Sequence, residues 1–552
     1  MGADWLVRDA LVLDGTGADG VLADVAVTAG RVTAVDAGRR DARASGAHRV
    51  VDAGGRALSP GFVDMHAHSD VQILANPDHT AKVSQGVTLE VLGQDGLSFA
   101  PVDGTTRDAL RAQIAGWNDD PPGFDWDWES VAGYLDRLDR GIACHAAYLV
   151  PQGTLRHLVV GPEDRPATAA EVARMGELLT RGLREGALGM SSGLTYAPGM
   201  YADGAELTAL LRIVAAHGGY YSPHTRSYGA GALEAYAEMI ELARTTGCAL
   251  HLTHATMNFA PNAGRAGDLL ALVDAALDDG VDVTLDTYPY LPGSTTLSAV
   301  LPSWAFSGGP DALLARLVDP ADRARILHEV ERVGTDGCHG CVAEWDTIEV
   351  SGVQNPALDM YVGRTVARIA GDEGRAPGDV FIDLLVADRL GTTILQHVGH
   401  EENVRAIMTH RAHCGGSDAI LVGGRPHPRA WGTFPRYLGR YVRELGVLGL
   451  AECVHHLTGR PAARLGLTDR GLVRPGCAAD LVLFDPDTVA DTATFEDPRQ
   501  QAAGIDLVLV DGVAVMDGGA RTDALPGHAV RRHGSTPPSR SRGPAPFRTF
   551  GA

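Results

Sequence analysis

The sequence contains a single lysine, Lys82, so arginine carries almost all of its positive charge. Acidic residues outnumber basic ones by 69 to 47, for a formal charge of −22. Such a balance excludes nucleic acid or an anionic membrane as the main partner, because like charges repel. No apolar run approaches the roughly 18 residues of a membrane-spanning helix. The first residues, Met1-Gly2-Ala3-Asp4-Trp5, lack the basic and apolar regions of a secretory signal. The seven cysteines are scattered and odd in number. This argues against a disulfide framework and predicts a reduced, cytoplasmic chain. Cys338-His339-Gly340-Cys341 has the spacing of half a zinc or redox motif, but no second CxxC stands near it. The sequence leaves the oligomeric state open.

What is present is regular. A chain of 552 residues exceeds one compact core and predicts two to three structural units. Residues 5 to 57 alternate apolar and polar positions, punctuated by Gly15, Gly17 and Gly30, as short strands and hairpins do. The segment around Ala479-Asp480-Leu481-Val482-Leu483-Phe484 and Asp506–Val515 reads the same way. Neither has a full strand complement, so residues 1–57 and 470–533 together predict one small β-sandwich built from both termini. Between them, short apolar strands alternate with helical stretches such as 169–185, 204–217, 231–246 and 266–279. Eight such repeats over 58–469 predict a (β/α)8 TIM-like barrel in the α/β class. Residues 291–400 form a long, mostly helical insertion, expected to act as a lid. The tail, 534–552, is rich in Ser, Pro and Arg and reads as a flexible or surface-laid extension.

Ser59-Pro60-Gly61-Phe62-Val63-Asp64-Met65-His66-Ala67-His68 organises the rest. It reads as a buried strand ending in two histidines. Residues two apart on a strand share a face, so His66 and His68 project together and form half of a divalent-metal site. Further His and Asp residues recur at later strand ends: His224 after strand five, His254 after strand six, Asp418 after strand eight. In such barrels the chemistry sits at the C-terminal ends of the strands. His251, three residues before His254, is expected to face away from it.

PGFVDMHAH resembles the first metal motif of the amidohydrolase superfamily, and later motifs resemble its N-acyl-D-amino-acid deacylase (D-aminoacylase) branch. RPGCAADLVLFDP is similar to the C-terminal half of that superfamily's discontinuous small domain, and RPHPRAWGTFPR to a signature of the branch. The resemblance implies that His224 and His254 bind the tight metal, that Asp418 is the catalytic aspartate, and that Arg429, Tyr288 and Ser294 hold a substrate α-carboxylate. Tyr196 falls in a loop similar to one of the branch and is expected to line the pocket. The chain also departs from the pattern. Asp95 stands where the branch has a metal-binding cysteine, Pro151-Gln152 where it has Gly-His, and Thr256 where it has a lysine. A carboxylate can bridge two cations, so Asp95 is expected to be a ligand. Many superfamily members bridge their metals with a carboxylated lysine; Lys82 lies ahead of strand two and not at a strand end, which leaves Asp95 as the available bridge.

The expected metal set is therefore His66, His68, Asp95, His224, His254 and Asp418, with zinc as the ion, manganese or cobalt as alternatives, and one tight site plus room for a second. The resemblance implies a metal-dependent hydrolase of small-molecule N-acyl-D-amino acids. The alternatives are another amide hydrolase of the superfamily, hydantoinase-like or dipeptide-cleaving, and a non-catalytic scaffold. D-selectivity is implied by the resemblance alone.

Overall fold

A computed structural model describes residues 3–37 and 46–532. The expectation for the tail, 534–552, lies outside the described residues. Eight strands form one parallel sheet: β1 (Phe62–Asp64), β2 (Val87–Leu92), β3 (His145–Pro151), β4 (Gly189–Gly193), β5 (Tyr220–His224), β6 (Ala249–Leu252), β7 (Val283–Thr287) and β8 (His413–Gly415). The first and last meet where the Met65 N–H donates to the Gly415 carbonyl at 3.1 Å and Ala67 bridges Ala419 in parallel. The sheet thus closes into the barrel expected from the alternation of strands and helices.

Parallel strands covered by helices are apolar on both faces. In β3 all seven residues are buried. Val63, Met65, Leu89, Val91, Leu149 and Cys414 fill the barrel interior. Phe62, Leu92, Tyr148, Val150, Leu250 and Leu285 point outward to the helices, following the two-residue period of a strand. The helix predicted over 169–185 forms as Ala169–Glu185. Thr168 and Glu171 make a reciprocal capping box at its start, a cap of the kind that contributes about 1 kcal/mol.

Strands from both ends of the chain share a second, mainly antiparallel sheet of nine strands. The join is Ala57–Pro60 against Leu481–Phe484. Val7, Val25, Leu58, Leu481, Leu483 and Leu509 pack together as its core. This sheet runs directly into β1. The Gly61 N–H donates to the Asp480 carbonyl at 2.8 Å, and a Cβ on Gly61 would lie 2.1 Å from Thr88 Oγ1. Only glycine allows the start of β1 to lie so close to Thr88 of β2.

The long insertion is helical as expected, but its helices rest on a three-stranded antiparallel sheet of Gly293–Thr296, Thr393–Gln396 and Ile348–Gly352. It has its own apolar core, including Leu297, Ile348, Phe381 and Ile394.

Candidate metal centre

The C-terminal strand ends bring the six expected residues together. Two sets of ligand atoms gather within 4.8 Å of one another: His66, His68, Asp95 and Asp418, and Asp95, His224 and His254. Asp95 belongs to both. His66 Nε2 is 3.5 Å from Asp95 Oδ1, and His68 Nε2 is 3.5 Å from Asp95 Oδ2 and 3.2 Å from Asp418 Oδ1. On the other side, His224 Nδ1 is 3.5 Å from Asp95 Oδ2, and His254 Nε2 is 3.6 Å from Asp95 Oδ1. All six residues are buried.

These distances fit a metal. A tetrahedral ion with ligands at 2.0–2.1 Å sets its corners about 3.3 Å apart. One polar atom at the centre, Asp95 Oδ1, is buried with no hydrogen-bond partner, which a structure seldom tolerates without another use for it. Electrostatics point the same way. Burial pushes the His66 pKa down to about 4, against the pull of Asp95 and Asp418. At His68 burial is outweighed by hydrogen bonds to Asp418 and Asp95, and the pKa rises to about 10. Burial also opposes charge on the two carboxylates, yet both are held below the ordinary range, Asp95 by His66, His254 and His224, and Asp418 by Arg429 and His66. Two carboxylates held ionised where four imidazoles converge form a pocket for a cation, which would take the place of the imidazole protons.

Backbone conformation marks the same place. Asp95, His254 and Asp418 have φ of 52°, 31° and 49°. Left-handed backbone is costly for residues with a Cβ and gathers at functional sites.

Beside the metal cluster lies a cavity lined in part by Tyr196, Tyr288, Ser294 and Asp418. Arg429 is fully buried behind it. Its Nη1 is 2.9 Å from Asp418 Oδ2, and its guanidinium stands 4.4 Å from the centre of the Tyr288 ring. None of its three guanidinium nitrogens makes an aligned hydrogen bond. With Nη1 beside Asp418 and Nε and Nη2 unpartnered, the guanidinium is equipped to receive a second carboxylate. Tyr196 packs against His224 at 4.7 Å and reaches Thr295 Oγ1 at 3.1 Å.

Sequence reasoning missed several walls of this cavity. Trp117, from the helix Gly104–Asn118, packs on His68 at 5.5 Å. Tyr228 packs on His224 and His254 at 4.9 and 5.0 Å. Phe259 and His339 line it as well. Tyr228 follows the strand end at His224 by four residues, which is the signal that could have flagged it. The other three carry no such local mark.

His251 requires a correction. It points into the barrel, where its Nε2 is 2.9 Å from Asp286 Oδ2. Asp286 Oδ1 accepts from the His254 N–H at 2.9 Å. The strand ends at Leu252 and the chain turns sharply at His254, so strand alternation does not relate the two histidines. Through Asp286, His251 thus braces the backbone of His254. Gln152 donates to Glu206 Oε1 at 2.7 Å, and neither Pro151 nor Gln152 lines the cavity. Thr256 does line it.

The Amidohydrolase family profile matches residues 49–516. A D-aminoacylase of Alcaligenes xylosoxydans xylosoxydans is 34% identical over 530 residues, covering 96% of this chain and 98% of its own. An N-acyl-D-glutamate deacylase of the same organism is 34% identical over 534 residues, covering 96% and 97%. Among solved structures, the N-acyl-D-glutamate deacylase from Bordetella bronchiseptica matches with a TM-score of 0.82 at 32% identity, covering 96% of this chain and 100% of that one. That enzyme was crystallised with zinc and a phosphonate inhibitor that mimics the reaction's tetrahedral intermediate.

Proposed function

The chain belongs to the amidohydrolase family, and on that premise we propose that it hydrolyses the amide bond of N-acyl-D-amino acids to a carboxylate and a free D-amino acid. The observation that carries this reading is the pairing of Asp418, a member of the candidate metal cluster, with Arg429, a buried guanidinium whose remaining donors, Nε and Nη2, have no partner. One group suits proton transfer and the other suits a carboxylate, and an N-acyl-amino acid needs both within one molecule's length.

His66, His68, Asp95, His224, His254 and Asp418 would hold the zinc. When bound, zinc supplies Lewis acidity, polarising the scissile carbonyl and making water acidic near pH 7. Asp418 accepts the proton of the attacking water as the new C–O bond forms. It then delivers that proton to the amine nitrogen as the C–N bond breaks, so no redox partner is required. Arg429, with Tyr288 and Ser294, holds the α-carboxylate and thereby sets which face of the substrate meets the metal cluster. Tyr196 and Trp117 exclude water from the far wall. We take 58–469 as the catalytic unit, 291–400 as its lid, and 1–57 with 470–533 as the supporting sheet. We also infer a cytoplasmic setting. All seven cysteines are free thiols, six of them buried, which suits a reducing compartment.

The test is amine release by zinc-loaded protein from matched N-acetyl-D- and N-acetyl-L-amino acids. Turnover of the D series alone is expected. No turnover of either series with zinc bound would overturn the proposal.

A further inference from the structure

The motif Cys338-His339-Gly340-Cys341 invites a metal or redox reading, but Cys338 is buried in the insertion's own core. What the turn delivers is the residue between the cysteines. His339 lines the cavity beside the metal cluster. Its ring packs against Tyr228 and Phe259, with centroids 5.4 and 5.6 Å away. Its carbonyl accepts from the Ala230 N–H at 2.9 Å and from Ser227 Oγ at 3.0 Å, pinning the insertion to the loop after β5. Yet its Nδ1 is buried with no hydrogen-bond partner. Its φ is 54° and that of Phe259 is 65°. They join Asp95, His254 and Asp418 as left-handed non-glycine residues of one cavity, and such conformations persist where function holds them.

Charge narrows what the cavity can take. Among the described residues that line it there is no arginine or lysine. The guanidinium behind it, Arg429, is matched to one carboxylate. Burial, with His224 and His254 adding to it, pushes the His339 pKa down to about 3, so the imidazole is neutral. A neutral imidazole donates at one nitrogen and accepts at the other. That suits an amide or a hydroxyl, whereas a second carboxylate calls for a cation.

We propose that His339 is a specificity-determining residue: with Tyr228 and Phe259 it forms a neutral subsite that hydrogen-bonds an uncharged polar side chain of the substrate amino acid and shuts out a second carboxylate. This rests on the deacylase reading above. Overall similarity does not decide the matter, because relatives described as a D-aminoacylase and as an N-acyl-D-glutamate deacylase are equally identical to this chain. Tyr288 and Ser294 of the carboxylate clamp line the same cavity as His339, and a substrate's α-carboxylate and side chain leave one α-carbon. His339 is joined to that clamp through Phe259, whose N–H donates to Val398 at 2.8 Å, and through the Gly293–Gln396 pair beside Ser294.

The test uses the zinc-loaded full chain and the N-acetyl derivatives of D-glutamine, D-methionine and D-glutamate, which have side chains of similar length. For the wild type, kcat/KM for D-glutamine should exceed that for D-glutamate by at least about a hundredfold, because the second carboxylate is buried without a partner. His339→Gly removes the ring and suits the left-handed backbone. It should lower the glutamine-to-methionine ratio by about tenfold, the worth of one hydrogen bond. His339→Asn, which tolerates that backbone and keeps a donor and an acceptor, should restore most of the ratio. Zinc content and thermal midpoint report whether each variant is folded. An unchanged glutamine-to-methionine ratio in His339→Gly, or wild-type turnover of D-glutamate equal to D-glutamine, would overturn the subsite while leaving the deacylase reading intact. Silence across the whole D series would overturn both.

Discussion

Replacing Lys82 with methionine tests how the strand ends that carry the candidate metal cluster are held together. Lys82 Nζ is fully buried, 2.5 Å from Asp64 Oδ2, 3.0 Å from Ser417 Oγ and 3.5 Å from Glu90 Oε2. The other oxygen of Asp64 accepts from the N–H groups of Ser417 at 2.9 Å and His66 at 3.2 Å. One ammonium thus clasps the start of His66-Ala67-His68 to Ser417-Asp418. Burial opposes its charge, but Asp64 and Glu90 outweigh burial and hold Lys82 ionised. Methionine keeps most of the stem and its packing while stranding the carboxylates. Removing one partner of a buried ion pair costs about 3–5 kcal/mol. Glu90 retains His79 at 2.7 Å, which puts the expected loss near the lower end, about 3 kcal/mol, or a factor of roughly 150 in the folded-to-unfolded ratio. Urea unfolding of the zinc-loaded protein, followed by tryptophan fluorescence and by activity, measures it. Adding Asp64→Asn removes the stranded charge and keeps an acceptor for the two N–H groups, so the double variant should recover about half of the loss. A single variant that unfolds at the wild-type urea concentration, or a double variant no more stable than the single, would refute the clasp.

Other outcomes follow from the same geometry. Asp95→Ala should lose most of its bound zinc, because Asp95 is the residue common to both ligand clusters; unchanged metal stoichiometry would remove it from the site. Since Lys82 is the only lysine and is fully buried, an amine-reactive ester should label native protein at the α-amino group alone and gain a second label on unfolding, read by mass spectrometry. Asp480 is buried between Arg470 Nη1 at 2.6 Å and His145 Nε2 at 3.3 Å. Burial opposes its charge, but His145 and Arg470 hold its pKa below the ordinary value. A depressed folded-state pKa contributes stability that is present above the unfolded value, about 3.9, and lost as pH falls toward the folded one. Asp480→Asn should therefore be less stable than wild type at pH 7, and the gap in thermal midpoint should close as pH falls below about 4.

The barrel and the cluster of candidate ligands at its strand ends were legible because one short run of residues sets both the strand and the candidate ligand. Phe62-Val63-Asp64 forms β1 and His66 and His68 follow at once; His224 is itself the last residue of β5. The clasp was not legible. It unites positions 64, 82, 90 and 417, and nothing local to Lys82 shows that Ser417 will reach it. Local spacing was also silent about His339. Cysteines 338 and 341 have the spacing of half a metal motif, discounted for want of a second CxxC, and the residue that reaches the cavity lies between them. Gln152 departs from the family pattern, yet its side chain turns to Glu206 and away from the cavity.

These misses share a physical cause. Strand period and helix period report on regular backbone, and the site is assembled where regular backbone stops. Asp95, His254, Phe259, His339 and Asp418 all have positive φ, a conformation that residues with a Cβ seldom adopt and that no propensity would assign to aspartate, histidine and phenylalanine together. Each is held there by contacts formed elsewhere. The Asp418 N–H donates to the His66 carbonyl at 2.8 Å, the Phe259 N–H to Val398, and the His339 carbonyl accepts from Ala230. The barrel thus supplies fixed strand ends, and the left-handed turns aim side chains that strand geometry alone would send elsewhere. His339→Asn keeps the left-handed turn and offers a donor and an acceptor without the ring, and therefore separates the two contributions: a retained glutamine-to-methionine ratio would trace specificity to the aim of the backbone, and a lost one would trace it to the imidazole itself.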